Sequence, residues 1–337
     1  MRRFIRLHRC AGILLMLAAA ADGHAAESRT ELPAETQTFV QDMVERHGFE
    51  RPALERVFRE SKFMAFIIRA MDAPSTALPW HEFRARHVND ARIAGGLKFW
   101  NANADVLERA AATYQVPPEI IVATIGIETM YGRNTGNVNV LDALTTLAFS
   151  YPRRADFFRG ELEQFLLLAR ENGWKLNAVR GSFAGAIGVP QFIPSSYRKY
   201  AVDFDGDGHR DLRQVADAVG SVAHYYRQFG WQQGGAVVVP VDVGGTTLEP
   251  LLAAGLVPHT TVAEFRKHGV VPLEPVADDA LATLVATETE IGPRYWLGLN
   301  NFYVITRYNR SINYAMVVQE LARTLRQQRL RAAGGIP

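Results

Sequence analysis

A single glutamate stands near the end of a predicted helix whose other positions on the same face are apolar. Paired prolines at 117–118 can occupy a first helical turn, where N–H groups have no partner, and Gly132 can end the helix. Ile121, Ile125 and Glu128 follow the i, i+4, i+7 spacing of one face. Burial on that face would raise the pKa of the Glu128 carboxyl, so that it can act as a general acid near neutral pH. The alternative is a solvated glutamate or a buried ion-pair partner.

The first 25 residues predict export from the cytoplasm. Four arginines precede an apolar run from Ile13 to Ala21, and small residues follow, which is typical of a signal peptide cleaved after Ala25. The run is too short for a stable transmembrane anchor, although an uncleaved N-terminal anchor is the alternative. We therefore expect a periplasmic protein without stable membrane insertion.

The position of the single cysteine and the net charge exclude several functions for the mature chain. The only cysteine, Cys10, precedes the apolar run, so a mature chain would have no disulfide, no thiol catalysis and no lipid on this residue. Cleavage removes four arginines and one aspartate, which changes the formal net charge from +2 to −1. This charge gives no overall attraction for nucleic acid, and none is expected as a partner.

The periodicity of apolar residues predicts a mainly α (α+β) protein. Residues 34–110 have helical patterns: one helix ends at Gly48, the next begins at Pro52, and a further helix runs from about Asp90 to Tyr114. Three further helices are predicted: the Glu128 helix, residues 160–170 and residues 217–229. β-branched runs predict strands at residues 236–241, 284–289 and 302–306. Ser311 is predicted to cap a last helix that reaches about Gln327.

A glycine-rich segment at residues 181–196 predicts an ordered loop that approaches a ligand closely. Glycines permit tight turns there, and Gln191 offers both donors and acceptors of hydrogen bonds, as an acetamido sugar requires. The alternative is a structural turn before a helix that Ser195 or Ser196 caps.

Four aspartates in residues 203–211 predict a calcium site. Asp203, Asp205 and Asp207 match the D-x-D-x-D-G opening of an EF-hand loop, and His209 would contribute its backbone carbonyl. Gln214 stands where the loop usually has a bidentate glutamate, so Asp217 is expected to close a longer loop. The alternative is an Asp/Gly-rich surface turn.

Two further polar clusters are candidates for ligand binding. Arg153 and Arg154 follow a turn and can bind carboxylates, or they are a solvated pair. Tyr308, Asn309 and Tyr314 precede and begin the last predicted helix, where they can line a sugar groove or pack as core aromatics.

Together these segments resemble the lytic transglycosylase B family. The motifs that carry the resemblance occur in one order, and the similarity covers most of residues 30–325: G-I-E-T-x-Y-G at 126–132, Y-P-R-R at 151–154, G-S-F-A-G-A-x-G-x-x-Q-F-x-P-S-S-Y at 181–197, A-V-D-F-x-G-D-G-H at 201–209 and I-T-R-Y-N at 305–309.

The resemblance implies a domain organisation. Residues 1–25 are the signal peptide, 30–113 a helical domain with which a last helix at 311–327 can pack, and 234–299 a small inserted β-containing domain. A lysozyme-like catalytic core comprises 114–233 and 300–313 and includes the EF-hand-like loop at 203–217.

The resemblance also implies the roles of individual residues. Glu128 is the catalytic residue, and saccharide binding falls to Ser182, Gln191, Tyr225, Tyr308, Asn309, Tyr314, Arg153 and Arg154. A structural Ca²⁺ is implied at Asp203, Asp205, Asp207, His209 and Asp217, and no catalytic cofactor is expected.

The activity implied is cleavage of the β-1,4 bond between N-acetylmuramic acid (MurNAc) and N-acetylglucosamine (GlcNAc) in peptidoglycan, whose glycan strands are the expected partner. The product is a 1,6-anhydro-MurNAc end, formed with Glu128 first as acid and then as base. Two other functions stay open at this point: a hydrolytic muramidase on the same scaffold, and a catalytically silent, calcium-stabilised murein-binding protein.

Overall fold

The computed structural model describes residues 31–72, 78–244 and 247–334. The predicted signal peptide at 1–25 lies outside these residues. Two compact units follow one another along the chain, the first ending at Glu60 and the second beginning at Ser61. None of the helices in the described ranges is both long enough and apolar enough to cross a lipid bilayer.

The first unit contains a pair of helices, α1 (Ala34–His47) and α2 (Arg51–Glu60). Gly48 ends α1 in a left-handed conformation with φ of 63°, and α2 carries a proline in its first turn, as the sequence predicts. The rings of Phe39 and Phe58 meet edge to face with centroids 5.8 Å apart, which fixes the two helices against each other.

The second unit is mainly helical. In chain order its described helices are α3 (Ala65–Asp72), α4 (Trp80–His87), α5 (Asp90–Ala102), α6 (Ala104–Tyr114), α7 (Pro118–Thr129), α8 (Val140–Ser150), α9 (Ala155–Glu171), α10 (Pro194–Tyr200), α11 (Val215–Gln228), α12 (Glu249–Ala253), α13 (Val262–Lys267), α14 (Asn300–Tyr308) and α15 (Ile312–Ala332).

Helix α7 lies at the centre of this unit, in contact with α5, α6, α11 and α15. Every residue from Ile120 to Gly126 is buried, so the helix is enclosed on all sides instead of presenting one apolar face. It ends at Thr129, three residues before the predicted stop at Gly132, because Met130 already adopts a left-handed conformation with φ of 52°.

Two antiparallel sheets accompany the helices. A short pair joins β1 (Val138–Asn139) to β2 (Arg180–Gly181). The larger sheet has the strand order β4-β6-β7-β3-β5, and these strands are β3 (Val238–Val243), β4 (Thr260–Thr261), β5 (Val270–Pro272), β6 (Leu281–Thr289) and β7 (Gly292–Gly298).

The five-stranded sheet has its own apolar core. Side chains of the sheet and of α13 share this core, whose buried members are Val241, Val262, Phe265, Val270, Ala282, Leu284 and Leu297. β6 and β7 form a hairpin in which Val285 pairs with Trp296.

Two predicted elements differ from the structure. The strand predicted at 302–306 is wrong, since these residues belong to helix α14. Short apolar, β-branched runs suit either structure, and here Phe302 and Ile305 are buried at the i, i+3 spacing of a helix. The helix predicted from Asp90 to Tyr114 is broken at Asn103, which ends α5 and begins α6.

Helix starts were predicted with mixed success. Ser311 caps α15 by accepting a hydrogen bond from Tyr314 N at 3.3 Å, as predicted, and the helix continues beyond Gln327 to Ala332. The cap by Ser195 or Ser196, which belonged to the alternative interpretation of the glycine-rich segment, is not formed, because α10 begins at Pro194. Instead, the backbone N and hydroxyl of Ser195 donate to the buried carboxylate of Glu161 at 3.0 and 2.7 Å.

Asn301 ties the chain together where it leaves the helices for the sheet and where it returns. This buried side chain accepts a hydrogen bond from Gln232 N, and it donates to the carbonyl oxygens of Gln232 and Gly235, each at 2.8 Å. One amide thereby satisfies three backbone groups of the outgoing segment.

We predict that Asn301→Ala lowers the free energy of unfolding by about 2–3 kcal/mol, because buried polar groups lose their partners. Thermal and denaturant unfolding measure this loss. The matched control is Asn300→Ala, which removes a single more exposed bond to Gly230 O. Equal losses of stability in the two variants would contradict the role given to the Asn301 hydrogen bonds.

Candidate active site

Glu128 lies in the last turn of α7, and its carboxyl meets a hydroxyl from α15. Tyr314 OH donates to Glu128 Oε1 at 2.6 Å. Tyr314 is 2% exposed, whereas Glu128 is partly accessible to solvent. The carboxyl therefore sits at the end of a buried helix and at the edge of the protein interior.

Burial raises the pKa of Glu128 to about 7, and the hydrogen bond from Tyr314 acts in the opposite direction. Within the described ranges, Tyr314 is the only side chain that hydrogen-bonds this carboxyl, and no other carboxylate contributes to its shifted pKa. Glu128 is thus poised to exchange a proton near neutral pH, without a charged partner.

Aromatic side chains surround this end of α7. The Tyr308 ring lies parallel to that of Tyr314, with centroids 6.3 Å apart and an interplanar angle of 11°. Tyr225 and Phe192 pack against Tyr308 at 4.9 and 5.8 Å between centroids. The structure therefore brings three predicted sugar-binding residues, Tyr225, Tyr308 and Tyr314, into one cluster beside Glu128.

The tyrosines of this cluster are held in their neutral form. Burial, reinforced by the negative charge of Glu128, raises the pKa of Tyr308 and Tyr314 well above the ordinary value. Tyr308 OH donates to Pro190 O, and Tyr225 OH donates to Arg307 O at 2.6 Å. These hydroxyls consequently fix backbone segments around the carboxyl and add no charge to it.

The predicted glycine-rich loop is ordered by its own polar side chains. The Ser182 hydroxyl accepts from Ala186 N at 3.0 Å, and Gln191 Nε2 donates to Thr135 O at 3.0 Å and Gly188 O at 2.8 Å. Gln191 has a φ of 53°, a left-handed conformation that non-glycine residues rarely adopt. Its Oε1 accepts no hydrogen bond from any described residue, and a role of Gln191 in sugar binding stays a prediction.

Close packing against Leu212, in the loop before α11, explains one glycine of this segment. Gly188 has a φ of 80°, and a Cβ there would lie 2.7 Å from both Leu212 Cβ and its carbonyl oxygen. The next residue contacts α7, because Thr129 Oγ1 donates to Val189 O at 2.8 Å. The loop is thus attached directly to the helix that carries Glu128.

Three other predicted binding residues lie on the surface or contact other groups. Arg153 is exposed and pairs with Asp72 at 3.1 Å. The Arg154 guanidinium lies 4.3 Å from the ring centroid of Phe157, a cation–π arrangement. Asn309 is exposed between α14 and α15. Their roles in binding stay predictions.

The aspartate-rich loop brings three carboxylates together. Oxygens of Asp203, Asp205 and Asp217 lie within 4.8 Å of one another. Asp207 is outside this trio, and its Oδ1 accepts from His209 N at 2.8 Å. The structure therefore supports Asp217 as the residue that closes the loop.

The three carboxylates of Asp203, Asp205 and Asp217 offer oxygen atoms, the ligands that a hard cation such as Ca²⁺ prefers. Asp217 is 1% exposed, and its two oxygens accept from Phe204 N and Asp211 N at 2.7 Å each. Asp203 accepts from three loop amides, among them Gly208 N at 2.9 Å. Carboxylates held this close repel one another, and a Ca²⁺ coordinated by oxygen atoms would relieve the repulsion.

Some residues that shape the site were missed by the sequence analysis. Tyr226 is fully buried, and its hydroxyl hydrogen-bonds Thr124 Oγ1 at 2.8 Å, which joins α11 to the middle of α7. Arg92 Nε donates to Gly126 O at 3.1 Å, and Tyr131 OH donates to Arg92 O at 2.8 Å. Periodicity could not identify these contacts, because each joins residues at least 34 positions apart.

Comparison with known proteins places this arrangement in a family. Residues 32–323 match the model of the "Transglycosylase SLT domain". The "Membrane-bound lytic murein transglycosylase B" of Escherichia coli strain K12 is 41% identical over 305 residues, covering 88% of this chain and 83% of that protein.

Solved structures show the same fold. The soluble lytic transglycosylase SltB1 of Pseudomonas aeruginosa, in its catenated form, superposes with a TM-score of 0.83 at 45% identity, covering 88% of this chain and 98% of that one. Escherichia coli Slt35 in complex with calcium gives 0.81 at 41% identity, covering 88% and 94%. SltB3 of Pseudomonas aeruginosa in complex with NAG-NAM-pentapeptide gives 0.75 at 29% identity, covering 90% and 80%.

The match to the family model spans most of the chain, and the similar structures share its mainly helical, lysozyme-like fold with a small sheet. The chain belongs to the transglycosylase SLT domain family.

Proposed function

We propose that this protein is a lytic transglycosylase that cleaves the β-1,4 bond between MurNAc and GlcNAc in peptidoglycan. The observation that carries the proposal is the partly buried Glu128 carboxyl, which accepts a hydrogen bond from a neutral tyrosine and has a pKa raised with no contribution from another described carboxylate. Glycosidases that hydrolyse through two protein carboxylates need both groups at the bond. A single carboxyl favours a mechanism in which the substrate supplies the second group.

In the proposed first step, protonated Glu128 gives its proton to the glycosidic oxygen while the bond from that oxygen to C1 of MurNAc breaks. The acetamido carbonyl oxygen of the same sugar bonds to C1 and forms an oxazolinium. In the second step the Glu128 carboxylate takes the proton of the C6 hydroxyl, O6 bonds to C1, and the oxazolinium opens. Glu128 ends protonated, and the product carries a 1,6-anhydro end.

Tyr314 and Tyr308 support both steps in this proposal. The Tyr314 hydroxyl orients the Glu128 carboxyl in either protonation state, since it donates to an oxygen that is unprotonated in both. Tyr308, Tyr225, Ser182 and Gln191 line the sugar groove. The peptidoglycan fragment bound by SltB3 belongs to the same chemical class as the proposed substrate.

We further propose that residues 114–233 and 300–313 form the catalytic core and residues 234–299 a small β-containing domain. The separate apolar core of the five-stranded sheet supports this division. The envelope location of the substrate also supports export to the periplasm by a signal peptide at 1–25. N-terminal sequencing of the exported protein tests this point, since a chain that still began at Met1 would contradict it.

We predict that Glu128→Gln folds normally and loses turnover by a factor of roughly 10²–10⁴, because general acid–base catalysis is removed. Mass spectrometry of muropeptides released from purified sacculi measures both rate and product. The control is Glu119→Gln in the first turn of the same helix, where the carboxylate pairs with Arg326 at the surface. Near wild-type release by Glu128→Gln would refute the assignment, and products heavier by one water would indicate a hydrolytic muramidase.

The pKa of Glu128 predicts how activity depends on pH. The acid form is required first, so kcat/KM should fall as pH rises through about 7. Tyr314→Phe removes the hydrogen bond that lowers this pKa, so the alkaline limb should move to higher pH. Tyr225→Phe, which leaves the Glu128 contact intact, should not move it. An unchanged limb in Tyr314→Phe would contradict the role given to this hydroxyl.

We also propose that Asp203, Asp205 and Asp217 hold a structural Ca²⁺ and that no catalytic cofactor is used. An ion that binds only the folded state raises stability by about 2.7 kcal/mol at a hundredfold excess over Kd. Calcium should therefore raise the Tm, and Asp217→Asn should abolish the rise. Asp211→Asn in the same loop, whose carboxylate pairs with Arg213, should retain it. Calorimetry without a binding signal would contradict the site.

A further inference from the structure

The turn that follows the Glu128 helix has an unusual backbone. Met130 and Tyr131 are consecutive non-glycine residues in the left-handed region, with φ of 52° and 63°. Such conformations persist only where the surrounding structure fixes them. The contacts of Tyr131 therefore indicate what holds this turn.

Three glycines form a slot that the Tyr131 ring fills. Gly95 and Gly96 come from α5 and Gly126 from α7. A Cβ at Gly126 would lie 2.5 Å from the Tyr131 hydroxyl oxygen, one at Gly96 2.6 Å from the same atom, and one at Gly95 3.0 Å from the ring. A Cβ at Gly96 or Gly126 would clash with Tyr131 while the ring occupies the slot. The glycines of α5 and α7 therefore provide the space that this tyrosine fills.

A closed set of hydrogen bonds completes the contact. Tyr131 OH donates to Arg92 O at 2.8 Å, and Arg92 Nε donates to Gly126 O at 3.1 Å. Arg92 is 8% exposed, and its Nη1 donates to Arg86 O at 2.8 Å. Among the described residues, the buried guanidinium donates to backbone carbonyls alone, and it thereby holds their segments together.

We propose that Tyr131 is a positioning residue for Glu128. Gly126 and Tyr131 flank the glutamate at two residues before and three residues after it, and both are fixed against α5. This arrangement sets the end of α7 at the position where the Glu128 carboxyl reaches Tyr314 OH. The inference rests on the proposed catalytic role of Glu128 and assigns Tyr131 no contact with the substrate.

The first experiment uses Tyr131→Phe, which keeps the ring and removes the bond to Arg92 O. Small misplacements of a reacting group can cost up to about 10²-fold in rate, so kcat should fall by about tenfold or more while KM stays within about twofold. The alkaline limb of kcat/KM should move to higher pH, because Tyr314 holds the carboxyl less well. In a Tyr314→Phe background, Tyr131→Phe should move the limb no further.

The second experiment tests the slot by compensation. Gly96→Ala places its methyl group against the Tyr131 hydroxyl and should lower kcat; the flexible end of Leu325, 2.7 Å away, can turn aside. The double variant should lose less kcat than the product of the two single losses, because the oxygen that clashes with the added methyl group is gone. Gly160→Ala in α9, where a Cβ meets nothing within 4 Å, is the matched glycine control, and Tyr295→Phe in the sheet is the matched tyrosine control.

The outcomes separate this inference from the proposed function. If the wild-type protein releases no anhydro-muropeptides, the proposed function fails. If it does, but Tyr131→Phe lowers only the Tm and leaves kcat and the pH profile at wild-type values, the positioning role is overturned. If the kcat of the double variant falls by the full product of the losses in Gly96→Ala and Tyr131→Phe, the proposal that Gly96 makes room for the Tyr131 hydroxyl is overturned.

Discussion

The burial of helix α7 is the constraint on which the rest of the second unit depends. Its residues from Ile120 to Gly126 are enclosed by four other helices, so the position of Glu128 depends on the packing of all four against α7. At the C-terminal end of α7 the last turn reaches the edge of the interior, and that turn carries Glu128. Desolvation at this boundary raises the pKa of Glu128 to about 7, while enough access remains for a ligand to meet the carboxyl.

The side chains around Glu128 are polar but neutral, which is consistent with a carboxyl whose pKa is raised to about 7. An arginine or lysine beside the carboxyl would lower its pKa and keep it ionised, which would remove the proposed acid. Tyr314 instead donates a hydrogen bond and keeps its own proton. Tyr308 and Tyr225 use their hydroxyls on backbone carbonyls, so they fix the loop at Pro190 and the end of α14. The cluster orients the glutamate without placing a charged group beside it.

Local signals in the sequence were enough for some elements, while contacts between distant segments decided the others. The Ser311 cap and the stop at Gly48 depend on residues a few positions away, and both are confirmed. The strand at 302–306 was wrong because a short β-branched run does not distinguish strand from helix. Glu128 was a candidate because its motif is local, whereas the contribution of Tyr226 depends on a hydrogen bond across 102 residues.

The proposed calcium site and the aromatic cluster share one helix, which gives the ion a structural connection to the site. Asp217 lies in the first turn of α11, and Tyr225 lies eight residues later, about 12 Å along the axis at 1.5 Å per residue. An ion held by Asp217 would fix the start of this helix and the loop that its carboxylate already supports through Phe204 N. Tyr226 then extends the same rigid element to Thr124 in α7. A cation at the loop can thus stabilise the surroundings of Glu128 while taking no part in proton transfer.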